Sequence, residues 1–205
     1  MKHFLPTALL GLILTATPAF AQTPKAGDWM MRVRAIDVSP DESSHTSING
    51  QIAASSTLAP ELDFSYFWSE NWASELILAT TKHEMKAKNT NSGGLDLGDV
   101  WILPPTLTMQ YHFTTQSPWK PYLGAGINYT IFYNEDAAPQ TSISYKNGFG
   151  YALQAGMDYN LNDKWVLNAD VKKIFLNTKA TVNGTVHADV DLDPWVFGLG
   201  VGYRF

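Results

Sequence analysis

The chain has 205 residues, a length suited to one domain. It contains no cysteine, which excludes disulfides and thiolate metal sites. Its 19 acidic against 14 basic residues, a net charge of -5, exclude the basic footprint that nucleic acid requires.

The N-terminus reads as an export signal. Lys2 and His3 precede an apolar stretch centred on Ala8, Leu9, Leu10, Leu12, Ile13 and Leu14. Pro18 interrupts it and Ala19-Phe20-Ala21 closes it. This is the plan of a secretory signal peptide cleaved after Ala21, leaving 22–205 as a single domain. The apolar part is too short to span a bilayer as a helix, and no later stretch is long enough either.

Beyond the signal, polar and apolar residues alternate. In 29–38, Trp29, Met31 and Val33 share one face, and Arg32 and Arg34 the other. After a long polar connection, Leu62, Phe64, Tyr66 and Trp68 oppose Glu61, Asp63, Ser65 and Phe67. In 72–81, Leu76 and Leu78 oppose Glu75. Leu107, Met109, Tyr111 and Phe113 oppose Thr106, Thr108, Gln110 and His112. Leu123, Ala125, Ile127, Tyr129, Ile131 and Tyr133 oppose Tyr122, Gly124, Gly126, Asn128, Thr130 and Phe132. Phe149, Tyr151, Leu153, Ala155, Met157, Tyr159 and Leu161 oppose Gly150, Ala152, Gln154, Gly156, Asp158 and Asn160. Trp165, Leu167, Ala169 and Val171 oppose Val166, Asn168, Asp170 and Lys172. The final run sets Trp195, Phe197, Leu199, Val201, Tyr203 and Phe205 against Val196, Gly198, Gly200, Gly202 and Arg204.

The large apolar faces are far too hydrophobic for water, and glycines are a poor choice for a water-facing strand. Both make sense if the large residues meet lipid and the small ones line a narrow interior. The expectation is an all-β fold: an eight-stranded antiparallel transmembrane β-barrel, closed so that no backbone edge faces hydrocarbon. The connections agree. Residues 69–71, 114–120 and 162–164 are short periplasmic turns, whereas 39–57, 82–103, 134–147 and 178–191 are four long extracellular loops. Asn183-Gly184 reads as a hairpin turn inside the last loop. At Lys172-Lys173 strict alternation turns one lysine outward; either a bulge resets the register or Lys173 snorkels at the interface.

The inward phase gives two site readings. Arg32, Arg34, Glu61, Asp63, Glu75, His112, Asp158, Asp170, Lys172 and Arg204 form an interior polar set, with Gln110, Gln154 and Asn168 among them. An eight-stranded barrel is just wide enough for its own side chains, so a packed plug is favoured over an aqueous conduit. Nearer the loops the inward face turns apolar. Phe132 lies there, and Trp101, Ile102 and Leu103 enter the barrel beside it, followed by Pro104 and Pro105. Consecutive prolines donate no ladder hydrogen bonds. Trp101, Leu103, Pro104, Pro105 and Phe132 are read either as a hydrophobic cup with a gap in the wall or as a rigid anchor sealing the mouth.

Other chemistry is sparse. Asp189, Asp191 and Asp193 share a strand face but make a poor calcium cage, so they read as a solvated rim, as do Asp96 and Asp99. Histidines 45, 83, 112 and 187 are scattered, and neither an HExxH nor a G-x-S-x-G motif occurs. No catalytic residue, cofactor or metal is expected.

Certain segments resemble the OmpW family of outer-membrane proteins. They are 103–107, 121–130, and the closing 192–197 with Gly202-Tyr203-Arg204-Phe205. The strand-turn-strand of 149–165 also fits, and the resemblance spans nearly all of the chain after the signal. It implies passive passage of small, mostly hydrophobic molecules, released sideways through the wall into the bilayer. It further implies outer-membrane lipids and lipopolysaccharide as surroundings, and barrel-insertion machinery as an assembly partner that reads Phe205. A non-transporting receptor, adhesin or anchor acting through the long loops is the alternative, and a lipid enzyme built on His112 a third.

Overall fold

A computed structural model describes residues 23–41, 43–46, 51–90, 93–139 and 142–205. The expected signal peptide lies outside them. The strands in chain order are β1 (Trp29–Ser39), β2 (Ser43–Thr46), β3 (Gln51–Ala54), β4 (Thr57–Phe67) and β5 (Trp72–Ala79). Then come β6 (Thr81–Thr90), β7 (Gly93–Leu103), β8 (Thr106–His112), β9 (Trp119–Ala137) and β10 (Ile143–Tyr145). The last are β11 (Gly148–Asn160), β12 (Trp165–Phe175), β13 (Asn177–Val182), β14 (Val186–Asp191) and β15 (Trp195–Arg204).

Eight of these close a ring. β1, β4, β5, β8, β9, β11, β12 and β15 pair in that order, and β15 returns to β1. Every pairing is antiparallel, so the wall has no open edge, as hydrocarbon demands. The ends of the chain are stitched together: the Trp29 amide donates to the Phe205 carbonyl at 3.1 Å, and the Phe205 amide returns a bond at 2.9 Å.

The outward face is that of a protein in lipid. Leu123, Ile127, Leu153, Leu199 and Val201 are exposed along it. Aromatic pairs ring the end with the short turns, among them Trp29–Tyr66, Trp72–Tyr111, Trp119–Tyr159 and Trp165–Tyr203. Tyr129–Phe149 and Tyr151–Phe175 lie toward the other end. Such girdles belong at the two interfaces. One carboxylate, Asp37, also takes the outward phase, opposite Phe197 near the upper end of β1.

The register through Lys172 and Lys173 runs without a shift, against Gln154 and Leu153 on one side and Val196 and Trp195 on the other. Of the two readings, the bulge is therefore wrong. Lys173 points outward, its ammonium 5.0 Å from the Trp195 ring and 3.0 Å from Asp41. A long stem laid over an aromatic with its charge at the rim is snorkelling.

The long connections are more ordered than their polarity suggests. β6 and β7 form a hairpin that prolongs the wall, with β3 on its outer edge and β9 on the other. β10, β13, β14 and β2 form a second sheet above the barrel. The β13–β14 turn carries Asn183 and Gly184 at φ 51° and 66°, the left-handed pair that an Asn-Gly hairpin turn needs.

Candidate functional site: a plugged barrel with an apolar cup

The inward track of each wall strand passes through three layers. On β1 the buried residues read Met30, then Arg32 and Arg34, then Ile36 and Val38. β12 repeats this with Val166, then Asn168, Asp170 and Lys172, then Ile174. β5 gives Ala73, Glu75, Ile77, and β4 descends from Ala59 through Glu61, Asp63 and Ser65 to Phe67. Antiparallel neighbours in register therefore stack apolar on apolar and charge on charge. The interior becomes a small apolar base, a polar plug and an apolar cup.

The plug is one connected network. Arg32 reaches Asp63 at 3.2 Å, Glu75 at 3.1 Å and Asp158 at 2.8 Å. Arg34 reaches Glu61 at 2.8 Å, Asp63 at 2.6 Å, Glu75 at 3.0 Å and Asp170 at 3.6 Å. Lys172 joins Glu61 at 2.9 Å and Asp170 at 2.6 Å. Amides fill the remaining valences: Gln154 donates to Glu75 at 2.8 Å and Asp170 at 2.7 Å, and Gln110 donates to Glu75 at 2.6 Å. Burying so many charges is costly unless each is paired and hydrogen-bonded, and here each is.

His112 and Arg204 lie on the underside of this network. His112 Nε2 donates to the Gln110 amide oxygen, 3.0 Å away, and the His112 ring stacks on Tyr122 at 4.9 Å and lies 5.1 Å from Phe67. Arg204 donates to Asn160 at 3.2 Å. Tyr122 is the chief residue that the sequence pattern does not single out. Its ring is fully buried beneath Arg32, and its hydroxyl receives a bond from Asn168 at 3.1 Å. Its inward phase is legible; its role is not, because an aromatic does not count as part of a polar set.

The glycines serve the plug rather than a void. A Cβ on Gly156 would stand 2.2 Å from the Tyr122 ring, and one on Gly200 would stand 2.1 Å from the Val33 carbonyl. The missing Cβ of Gly156 makes room for the Tyr122 ring, and that of Gly200 lets β15 approach the β1 backbone at Val33 and Arg34.

Above the plug lies a cavity of about 60 Å³. Ile36, Ile77, Ala79, Ile102 and Pro104 are among its apolar lining, with Glu61 and Lys172 at its floor and His83 on its wall. A buried apolar cluster continues upward through Val100, Phe132, Ile143 and Leu192. Burial holds the His83 pKa below its ordinary value. Its Nδ1 lies 2.6 Å from the Ser55 carbonyl, an acceptor only, so Nδ1 carries the proton.

The five residues read as cup and gap divide between two faces. Pro104 lines the cavity and Phe132 is buried, stacked on Tyr145 at 5.2 Å. Trp101 and Leu103 alternate with the buried Val100 and Ile102, so they take the outer face, where Trp101 meets Tyr133. Pro105 gives its carbonyl to the Tyr129 amide at 3.0 Å, and Asn128 donates to Pro104 at 3.1 Å. The prolines are thus anchored on the β9 side.

On the other side the ladder stops. β5 and β8 pair as far as Ile77 with Thr106, and pairing resumes at Thr81 with Ile102. Among the described residues no ladder pairing joins 78–80 to 103–105. The hydroxyls of Thr80 and Tyr133 meet across this stretch. The β5–β6 side, with Ala79, Thr81 and His83, does not stand out in the sequence. Its signal is the alternation of His83 and Met85 with Lys82, Glu84 and Lys86, hidden inside a polar segment.

The acidic residues at the rim are split among separate partners. Asp191 accepts from Asn177 at 2.8 Å, Asp193 accepts from the Leu176 amide at 2.9 Å, and Asp99 pairs with Lys82 at 2.5 Å. No cluster able to hold a metal occurs among the described residues.

The OmpW family profile matches residues 25–205. An uncharacterized outer-membrane protein, y4mB, of Sinorhizobium fredii is 46% identical over 186 residues, covering 86% of this chain and 80% of that protein. The dibenzothiophene metabolism operon protein PahQ of Pseudomonas aeruginosa is 28% identical over 206 residues, covering 95% of each. The crystal structure of the outer membrane protein OprG from Pseudomonas aeruginosa superposes with a TM-score of 0.83 at 32% identity, covering 90% of this chain and 99% of that one.

Proposed function

This chain belongs to the OmpW family and is a barrel of the bacterial outer membrane, and we propose that it is a passive route for small hydrophobic molecules across the outer leaflet. Cargo enters the cup beneath the extracellular sheets and leaves sideways into the bilayer beside Pro104-Pro105. One observation carries this reading: the apolar cavity sits directly on an ion-pair plug and beside a stretch of wall where, among the described residues, no ladder pairing joins 78–80 to 103–105. Downward passage would require breaking buried charge pairs, whereas sideways passage breaks no ladder bond. PahQ supports the reading by its name alone, which places that relative with the metabolism of an apolar aromatic.

The reading assigns the protein no catalytic role. It also expects lipopolysaccharide around the outer half of the wall, and insertion machinery recognising the terminal strand at Phe205.

Replacing Pro104 and Pro105 with Val tests it. Valine supplies the missing amide donors and lets the ladder close. Uptake of a polycyclic aromatic hydrocarbon by cells making the variant should slow several-fold. The variant's heat-dependent electrophoretic mobility should stay that of a folded barrel. Unchanged uptake by the folded variant would overturn the lateral exit.

A further inference from the structure

The floor of the cup carries information about the head group of the cargo. Lys172 is the cation that lines the cavity, yet its ammonium is already held between two carboxylates, Glu61 at 2.9 Å and Asp170 at 2.6 Å. Glu61 itself lines the cavity. The next cation below, Arg34, is spread over Glu61, Asp63, Glu75 and Asp170. Among the described residues lining the cavity, no guanidinium or ammonium is left over to receive an incoming anion at the floor.

The balance of the network points the same way. Five carboxylates (Glu61, Asp63, Glu75, Asp158 and Asp170) are linked to three cations (Arg32, Arg34 and Lys172). These ion pairs thus join two more carboxylates than cations. Water is largely excluded there, so the imbalance acts on a nearby head group with little screening. Burial disfavours the charged form of His83, the other titratable group on the cavity wall.

We infer that the plug is a charge filter: the cup accepts hydrophobic molecules with neutral or cationic heads and rejects those bearing a carboxylate. This rests on the proposed entry of hydrophobic cargo into the cup and adds a rule for which cargo enters. The responsible residues are Glu61 and Asp170, which set the sign of the floor, and Lys172, which they neutralise.

Desolvation alone would also disfavour a carboxylate, so the test needs two ions of opposite sign on the same alkyl chain. Decanol, decylammonium and decanoate are titrated at neutral pH into the full barrel in phosphatidylcholine nanodiscs, compared at equal bilayer-bound concentration. Methyl signals of Ile36, Ile77 and Ile102 report the cavity, and Ile127 on the lipid face serves as the reference. Decanol and decylammonium should bind at least about tenfold more tightly than decanoate. Asp170→Asn should narrow the gap between the two ions, and Lys172→Met should widen it. Equal binding of decylammonium and decanoate would overturn the charge filter while leaving hydrophobic uptake standing if decanol still binds. Failure of all three probes to reach the cavity signals would overturn the filter and the uptake reading together.

Discussion

Arg32 on β1 grips Asp158 on β11 with two nitrogens of its guanidinium, Nε at 3.3 Å and Nη2 at 2.8 Å, across the lumen. The two strands are not neighbours in the ring, so this pair is a strut rather than a rung. Its strength comes from its burial. Arg32 keeps Asp63 and Glu75 if Asp158 is lost, but removing Arg32 takes this cation away from Asp158 in a water-poor interior.

Arg32→Ala should therefore lower barrel stability by about 3–5 kcal/mol, the cost of breaking one partner of a buried pair. Urea unfolding of the barrel in lipid vesicles measures it. A loss below about 1 kcal/mol, the scale of an exposed pair, would contradict the strut.

The plug should also stop ions. Arg32, Arg34, Tyr122 and Phe67 are all essentially buried within the lumen. Planar-bilayer recordings should show no large steady open-channel current. A persistent current of porin size would contradict a closed plug.

His83 makes the upper wall sensitive to acid. Burial lowers its pKa, so the folded state prefers the neutral ring. Linkage sets the sign: its contribution is complete above the ordinary value of 6.5 and is lost as pH falls from there through the lowered folded value. The affected contact is the β3–β6 junction, where the Ser55 amide donates to the Glu84 carbonyl at 3.0 Å. Exchange of the Ser55 amide should accelerate as pH drops through that window, after correction for intrinsic rates. His83→Gln should remove the step. Protection that rises on acidification would contradict it.

Much of this is legible in the sequence, and for a physical reason. Side chains alternate with period two, and lipid on one side makes the phase unambiguous, so Arg32, Asp158 and Lys172 are placed inward by their strands alone. Partners are another matter. That Arg34 meets Glu61, Asp63, Glu75 and Asp170 depends on the stagger of four strands, which no local pattern encodes. The extracellular strands escape notice for a different reason. β6 and β13 face water on one side, so Lys82, Glu84, Lys86 and Lys179 make their segments look like polar loops. Trp101 and Leu103 mislead by hydrophobicity. They read as cup lining, but above the membrane the strand still alternates, and their phase sends them outward. Pro104 lies between these cases: its lack of a donor is plain, while its place at an unpaired stretch of wall requires the registers on both sides.

The central claim is that cargo leaves between β5–β6 and β7–β8. Continuing the two registers sets Ala79 opposite Pro104, and both line the cavity. The chain has no cysteine of its own, so Ala79→Cys with Pro104→Cys places a unique thiol pair across the opening. Uptake of a hydrophobic aromatic should be normal with the thiols reduced, fall to the level of cells lacking the protein when they are joined by a disulfide or a short bis-thiol crosslinker, and return after the link is cleaved. Uptake that persists undiminished through the crosslinked barrel would contradict lateral exit at this site.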